Sequence, residues 1–440
     1  MKVMFISLGC DKNLSDTEEM LGILREEGYE FTDDETDAEI IVVNTCCFIN
    51  DAKEESINTI CEMAECKKRY KCSSLIVTGC LAQRYRDEII KEIPEVDAVI
   101  GTSAYDTVGD VIKSVIDGKT VTRFMDMDRL PSVTADRVVT TGGYYAYLKI
   151  AEGCDKNCTY CIIPKIRGHY RSIPMEKLAA QAEKLAEGGV KELILVAQET
   201  TIYGQGIYGK KSLHLLLKRL CRIEGLSFIR ILYCYPEEIY DELIDTIKKE
   251  KKVCHYLDMP IQHCNDYILK RMGRRTNKKE LMDIIHKLRE SIPDIILRTT
   301  LISGFPGETC EAHRELMEFV DEMEFDRLGV FAYSPEENTA AADFDGQVDE
   351  EVKGDRRDEI MELQQDIAFD KSESMIGKEF VAIIEGKVAE ENAYAGRTYM
   401  DAPDVDGYIF ISADEELMSG DLVQVRVTGA SGYDLIGEKI

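Results

Sequence analysis

Three cysteines within eight residues form the pattern in this sequence that carries the most chemical information. They are Cys154, Cys158 and Cys161, in the spacing C-x3-C-x2-C. Thiolates at this spacing can face inward from one loop and bind three irons of a four-iron cluster, because such clusters prefer soft sulfur ligands. The fourth iron then stays open to another molecule. A zinc site that recruits His169 is the alternative, although no second C-x2-C pair follows.

Three further cysteines each follow a short apolar run. Cys10, Cys46 and Cys80 come after the apolar runs at 3–8, 40–43 and 75–77. We interpret these runs, with a fourth at 98–100, as buried parallel strands, and helices are predicted at 16–27 and 51–64. The carboxyl ends of parallel strands meet at one edge of a sheet, where ligands bind. The sequence therefore predicts a doubly wound α/β domain that gathers three thiols at that edge.

The rest of the chain predicts two more domains. Six strand patterns lie between residues 144 and 331 with helical patterns between them, and the first strand precedes the cysteine run. This alternation predicts an incomplete (β/α)6 barrel, in which chemistry occurs in the loops after the strands. Residues 376–440 hold short alternating strands with glycine turns, which predict a small antiparallel β-barrel. The predicted domains of this α/β multidomain chain are 1–139, 140–372 and 373–440.

The charge balance favours some partners over others. The chain carries 83 acidic and 54 basic residues, a net charge of −29, and 5 of these basic and 13 of these acidic residues lie in 376–440. We therefore do not expect direct nucleic-acid binding to dominate, and a basic partner is favoured. No apolar run reaches the roughly 18 residues that a membrane span needs, and no export signal is predicted. We expect a cytoplasmic protein whose 15 cysteines stay reduced.

The cysteine run resembles the signature of radical S-adenosylmethionine (SAM) enzymes, since an aromatic residue precedes its last cysteine and it follows the first barrel strand. The segments 7–13, 43–46 and 77–80 resemble the three cysteine motifs of the methylthiotransferases within that superfamily. The C-terminal barrel is similar to that family's TRAM domain, so the resemblance covers essentially the whole chain. It implies two [4Fe-4S] clusters, one on Cys154, Cys158 and Cys161 with SAM on its open iron, and one on Cys10, Cys46 and Cys80.

The resemblance also implies a substrate. The segments 167–174, 196–204 and 401–407 resemble the branch of the family that acts on protein twelve of the small ribosomal subunit. The implied enzyme inserts a methylthio group at the β-carbon of an aspartate in that basic protein, with the help of an electron donor and a sulfur source. No side chain is assigned as a general base. A transfer-RNA adenosine methylthiotransferase on the same scaffold is one alternative, and a non-enzymatic iron–sulfur protein is another.

Five residues are implied as contacts of SAM by the same resemblance. They are Tyr160, Gln198, Thr200, Arg298 and Gly304. The alternative for Tyr160 is a packing role, and the alternative for Gly304 is that it only serves a turn. His263 is either an acid or base or a structural hydrogen bonder.

The adjacent cysteines 46 and 47 compete for one ligand position. Cys46 follows Asn44 and Thr45, as in the family's motif, so we assign Cys46; whether Cys47 can replace it stays open. We interpret the remaining thiols as bystanders, most of them small buried apolar residues. They are Cys61, Cys66, Cys72, Cys221, Cys234, Cys254, Cys264 and Cys310.

Overall fold

The computed structural model describes residues 1–389 and 392–440 of the chain. Two compact units make up this structure. Unit 1 comprises Met1–Thr140, Ala151–Ile173 and Glu336–Thr339, and unit 2 comprises Thr141–Ile150, Pro174–Pro335 and Ala340–Ile440. The cysteine run at 154–161 therefore belongs to the same unit as Cys10, Cys46 and Cys80. The three domain boundaries given above stay predictions.

Unit 1 contains a six-stranded parallel sheet in the order β2-β1-β3-β4-β5-β6. The strands are β1 (Lys2–Ser7), β2 (Glu30–Phe31), β3 (Ile40–Thr45), β4 (Ser74–Thr78), β5 (Ala98–Ile100) and β6 (Val121–Arg123). The helices are α1 (Asp11–Glu26), α2 (Asn50–Arg69), α3 (Gly79–Tyr85), α4 (Asp87–Glu92) and α5 (Val108–Ile116), with a short 3-10 helix at Tyr105–Thr107. The predicted doubly wound α/β domain is confirmed.

The apolar strands explain why the sheet is covered on both faces. Ile41 and Val43 pack into one hydrophobic core, whereas Ile40 and Val42 pack into another, as alternation along a strand requires. Continuous apolar runs are typical of such doubly covered parallel strands. The first helix begins at Asp11, five residues before its predicted start, so the helix follows Cys10 directly.

The second part of unit 1 surrounds the cysteine run. Strand β8 (Ala151–Glu152) pairs antiparallel with β9 (Arg171–Ser172), and helix α6 (Ile163–Arg167) lies between them. The backbone N–H of Cys154 donates to the carbonyl of Gly168 over 3.1 Å. The loop with the three cysteines is therefore closed at its base by backbone hydrogen bonds.

Unit 2 contains a second six-stranded parallel sheet, which is open, in the order β14-β13-β12-β11-β10-β7. Its strands are β7 (Tyr145–Lys149), β10 (Glu192–Val196), β11 (Phe228–Ile231), β12 (Val253–Asp258), β13 (Ile296–Ser303) and β14 (Arg327–Ala332). Its helices are α7 (Met175–Glu187), α8 (Gln205–Tyr208), α9 (Leu213–Leu220), α10 (Asp241–Lys249), α11 (Asp266–Arg271), α12 (Lys278–Ser291), α13 (Cys310–Met323) and α14 (Glu350–Glu373), with 3-10 helices at Pro236–Glu238 and Ala340–Asp343. All six predicted strands are present, and the incomplete barrel is confirmed.

Within 1–389 and 392–440, no helix is long and apolar enough to cross a membrane.

The C-terminal strands close into a small barrel in the order β15-β16-β17-β19-β18. They are β15 (Glu379–Lys387), β16 (Ala393–Arg397), β17 (Ile409–Ser412), β18 (Leu422–Ser431) and β19 (Asp434–Lys439). Four of the five pairings are antiparallel, as predicted, and β17 with β19 is parallel. Closure leaves no exposed sheet edge.

Buried ion pairs fasten this small barrel to the open sheet of unit 2. Glu192 accepts a hydrogen bond from Arg230 of the sheet over 2.8 Å, and its other carboxylate oxygen forms an ion pair with Arg397 of the barrel, also over 2.8 Å. All three side chains are fully buried. Burial raises the pKa of the Glu192 carboxyl, but the two arginines outweigh burial, and its pKa lies below the ordinary 4.5. Arg327 of the sheet likewise pairs with Asp401 of the barrel over 2.6 Å.

Replacing Glu192 with alanine tests this attachment. E192A leaves two guanidinium groups buried without their shared carboxylate, so we expect a loss of roughly 3–5 kcal/mol in stability. The measurement is the urea unfolding midpoint at pH 7. At this pH the Glu192 carboxylate, with its lowered pKa, contributes its full share of the stability. This contribution is lost only as the pH falls through that pKa, below 4.5.

A control for this change is E379Q, which removes an exposed pair with Arg426. We expect no measurable shift of the midpoint in E379Q, because exposed pairs contribute little. An unchanged midpoint in E192A would contradict the structural role given to Glu192.

Candidate metal centres

Three neighbouring strands of unit 1 present Cys10, Cys46 and Cys80 at one edge of the sheet. Strands β1, β3 and β4 are adjacent, and one of these cysteines follows or lies just beyond each carboxyl end. Cys46 and Cys80 are buried and Cys10 is half-buried. Burial, together with the nearby Cys80 and Cys10, raises the pKa of Cys46 to about 12. The structure therefore places these three thiols close enough to one another to affect the pKa of Cys46.

Two asparagines tie the loops of this thiol group together. The side-chain amide of Asn13 donates to the carbonyl of Leu8 over 3.0 Å and to that of Thr45 over 2.9 Å. The side-chain amide of Asn44 donates to the carbonyl of Asn13 over 2.8 Å. Because these bonds join the loops after β1 and β3, the positions of Cys10 and Cys46 depend on each other.

Two glycines allow the close approach of these loops. Gly9 has φ +87°, and a Cβ at this position would lie 2.5 Å from the Cβ of Cys46. Gly79 has φ +91°, and its Cβ would lie 2.3 Å from Oδ1 of Asn44. A side chain at either position would be strained and would collide with the neighbouring loop.

Cys47 lies beside this group and in the apolar core. Its side chain is fully buried, and burial and the nearby Cys80 raise its pKa to about 12 although Arg84 acts to lower it. Arg84 also donates to the carboxylate of Glu336 over 2.8 Å. Cys47 is thus close to the thiol group, and whether it can replace Cys46 stays open.

The second thiol group consists of Cys154, Cys158 and Cys161 in the loop between β8 and α6. Cys154 and Cys158 are buried, Cys161 is half-buried, and the backbone N–H of Cys161 donates to the carbonyl of Cys158 over 3.0 Å. Asn157 has φ +54°, a left-handed conformation that asparagine tolerates and that turns the loop. Burial raises the pKa of Cys161, and Cys158 and Cys154 raise it further.

The chemistry of both groups fits a multi-iron cluster. A single zinc ion holds its thiolates at about 2.3 Å, which brings the sulfurs within about 4 Å of one another. Each group supplies three thiols, and thiolates are the soft ligands that iron–sulfur clusters prefer. A four-iron cluster binds each cysteine on a different iron and so keeps the sulfurs farther apart. His169, the zinc alternative, is exposed and pairs with Asp155 over 2.8 Å.

The predicted SAM contacts are divided between the two units. Tyr160 is half-buried in unit 1, between Cys158 and Cys161. Gln198 lies in unit 2 after β10, and its Oε1 is buried with no hydrogen-bond partner among the described residues. A buried orphan acceptor is costly, and a ligand that donates to it removes that cost.

Thr200 and Arg298 are joined by a chain of polar contacts. The hydroxyl of Thr200 lies 2.8 Å from the carbonyl of Leu232 and 3.1 Å from that of Tyr233. The N–H of Tyr233 donates to Asp258 over 3.1 Å, and Arg298 donates to the same carboxylate over 2.9 Å. Tyr233 has φ +59°, a strained conformation that is common at functional sites.

Arg298 and Gly304 already have protein partners. Besides Asp258, Arg298 lies 3.5 Å from Asp406 of the small barrel. The N–H of Gly304 donates to Glu308 over 2.8 Å. Contacts of Tyr160, Gln198, Thr200, Arg298 and Gly304 with SAM stay predictions.

His263 has a defined hydrogen-bonding role. Its Nδ1 accepts from the backbone N–H groups of Cys264 and Asn265, over 3.0 and 2.9 Å, and its Nε2 lies 3.6 Å from Glu308. This arrangement favours the structural alternative, because Nδ1 is an acceptor and the ring is fully buried.

Sequence reasoning missed the residues that support the thiols. Asn13, Asn44 and Arg167 lie in segments that the family resemblance uses, but no role is derived for them from the sequence. In the sequence, each is only a polar residue next to a cysteine motif or a glycine. That position alone does not distinguish a residue that joins two loops from a residue on the surface.

Substitution of Gly9 tests the geometry of the first thiol group. In G9A the new methyl group strains the backbone by about 1–2 kcal/mol and displaces Cys46, so we expect loss of the iron held by that group. The measurement is iron content after anaerobic reconstitution, with folding checked by circular dichroism.

Gly28 provides a matched control, since it has φ +85° and open space around its Cβ position. G28A suffers the same backbone strain without a collision, and we expect it to keep its full iron content. Equal iron content in G9A and G28A would rule out the proposed dependence of Cys46 on Gly9.

Comparisons with known proteins agree with this architecture. Three family models match the chain: the uncharacterized protein family UPF0004 at residues 2–101, the radical SAM superfamily at 148–320, and the TRAM domain at 376–440. The radical SAM methyltransferase TsrM from Kitasatospora setae, solved with cobalamin and a [4Fe-4S] cluster, has TM-score 0.57 at 13% identity over 76% of this chain and 73% of that chain. This likeness concerns the fold alone.

Full-length relatives are more similar. The chain is 63% identical over 437 residues to ribosomal protein uS12 methylthiotransferase RimO of Lachnoclostridium phytofermentans, covering 99% of both chains. It is 50% identical to the protein of that name from Acetivibrio thermocellus, over 100% of this chain and 98% of the relative. For Clostridioides difficile the identity is 47%, over 100% and 98%.

Proposed function

This chain belongs to the family of ribosomal protein uS12 methylthiotransferases, and we propose that it inserts a methylthio group at the β-carbon of an aspartate in uS12. It is a radical SAM enzyme that uses [4Fe-4S] clusters and SAM. The observation that carries the proposal is the presence of two separate groups of three cysteines in one unit. One group alone would supply radical chemistry without a second sulfur site.

We assign one cluster to each thiol group. Cys154, Cys158 and Cys161 hold the cluster that binds SAM, and Cys10, Cys46 and Cys80 hold the second cluster. When bound, the first cluster would supply electron transfer and radical chemistry with SAM, and the second cluster would hold the sulfur that the sulfur source provides. Of the five residues proposed to contact SAM, Gln198 has a buried side-chain carbonyl oxygen without a hydrogen-bond partner among the described residues, which a ligand's donor would satisfy.

The protein's own contribution is ligation, positioning and exclusion of water. Burial raises the pKa of the Cys46, Cys80 and Cys161 thiols, and metal binding to these thiols releases their protons. The Asn13 and Asn44 hydrogen bonds fix the loops before iron arrives. Preorganised ligands of this kind bind a cluster without large rearrangement.

The acidic C-terminal barrel supports a basic protein substrate. Asp401 and Asp406 are engaged by arginines of the sheet, so they do not contribute to the surface. Asp414, Glu415 and Glu416 follow β17 and are exposed. Such a surface repels the phosphates of RNA and attracts a protein rich in lysine and arginine. An electron donor and a sulfur source complete the proposed set of partners.

A product assay separates the substrate classes. Reconstituted enzyme receives SAM, sulfide and reductant with either uS12 or transfer RNA, and mass spectrometry follows both. We expect methylthiolated uS12 and unmodified RNA; the reverse result would overturn the substrate assignment. We also expect 5′-deoxyadenosine, which disappears in C158A. Its absence in the wild-type protein would instead favour a non-enzymatic iron–sulfur protein.

Charge reversal tests the role of the acidic surface. In D414K/E415K/E416K we expect the KM for uS12 to rise about tenfold with kcat unchanged, and the dependence of KM on salt to weaken. The measurement is the initial rate of uS12 modification at several salt concentrations.

A matched control reverses three exposed acidic residues of helix α13, in E318K/D321K/E322K. We expect this variant to keep the wild-type KM, because the same change in net charge lies outside the C-terminal barrel. Equal effects of the two triple variants would show that only net charge matters and would refute recruitment by the acidic surface.

A further inference from the structure

Arg167 is a buried arginine that contacts one of the cluster cysteines. It is the last residue of α6, and its side chain is 2% exposed. Its Nη2 lies 3.5 Å from Sγ of Cys80 and donates to Oδ1 of Asn13. Its Nη1 lies 3.0 Å from Asp16 and 3.1 Å from Glu152. Every one of these contacts lies within unit 1.

The two carboxylates hold the guanidinium in a fixed orientation. Asp16 and Glu152 both contact Nη1 of the planar guanidinium. Its Nη2 is therefore directed at Asn13 and at the sulfur of Cys80. The two carboxylates also balance the buried charge of Arg167, and a guanidinium is not deprotonated in proteins. The positive charge is therefore permanent.

The backbone next to Arg167 contacts the second thiol group. The carbonyl of Gly168 accepts from the N–H of Cys154 over 3.1 Å, and the carbonyl of Ile166 accepts from the hydroxyl of Thr102 over 2.8 Å. Both neighbours of Arg167 are thus anchored. The side chain has little freedom to move away from Cys80.

Hydrogen bonds to cysteine sulfur and nearby positive charge both change the reduction potential of an iron–sulfur cluster. They stabilise the reduced form, which carries one more negative charge, and so raise the potential. We propose that Arg167 is a positioning residue that donates a hydrogen bond to Sγ of Cys80 and raises the reduction potential of the cluster on Cys10, Cys46 and Cys80. This inference rests on the proposed function, which assigns a cluster to those cysteines.

Arg84 does not have the same role. It is buried in the same unit, but it donates to the carboxylate of Glu336 and to the backbone carbonyl of Cys47. Its charge is therefore directed to a neighbour of the proposed ligands, whereas Arg167 contacts a proposed ligand directly.

The test measures the potential of this cluster alone. The full-length variant C154A/C158A/C161A keeps only the cluster on the other three cysteines, and its midpoint potential is followed by electron paramagnetic resonance during a redox titration. Adding R167Q removes the positive charge and the guanidinium group. We expect the reduction equilibrium to shift at least tenfold toward the oxidised form, which lowers the midpoint potential by 59 mV for one electron. Adding R167K keeps the charge, and we expect a shift in the same direction that is smaller.

R129K provides the control, since Arg129 pairs with Asp106 in the same unit and has no described contact with a cysteine. We expect its potential to equal that of the parent variant. Potentials of R167Q and R167K equal to that of R129K, at full iron content, would overturn the inference.

Loss of iron from both Arg167 variants, while circular dichroism shows them folded, would also overturn it, because Arg167 would then be needed for ligation instead of for the potential. If the parent variant itself binds no iron with Arg167 intact, the proposed function fails, and this result is distinct from the other two.

Discussion

The candidate metal centres of unit 1 depend on one electrostatic constraint: buried thiols that lie close together cannot ionise without a cation. Burial and the neighbouring cysteines raise the pKa of Cys46 to about 12, and the pKa of Cys161 is raised by the same two causes. A bound cluster supplies the positive charge that removes both penalties. The glycines and asparagines around the first thiol group serve this purpose, since they bring the loops together where unpaired thiolates would repel each other.

Buried charge elsewhere follows the same rule that each ion needs a partner. Arg167 is enclosed by Asp16, Glu152 and the sulfur of Cys80. Glu192 joins two arginines in unit 2 and fastens the C-terminal barrel to the open sheet. In both places the ionic contacts specify geometry more than they add stability, because desolvation offsets much of their attraction.

Local patterns made much of the architecture predictable. Continuous apolar runs predicted β3 and β4, the strands that present Cys46 and Cys80. The spacing of Cys154, Cys158 and Cys161 predicted that these three cysteines lie in one loop. Contacts between distant segments were not predictable, because no periodicity encodes them: Arg167 and Cys80 are 87 residues apart in sequence, and Arg298 meets Asp406 of the small barrel. For that reason the supporting residues of the candidate site emerged only from the structure.

The central claim is that each thiol group holds its own four-iron cluster. Iron quantification with Mössbauer spectroscopy on three full-length proteins tests it most directly: the wild type, C10A/C46A/C80A and C154A/C158A/C161A. The account predicts about eight irons per chain in the wild type and about four in each triple variant, all in four-iron clusters. About four irons in the wild type, or the loss of all iron in one triple variant and none in the other, would contradict it.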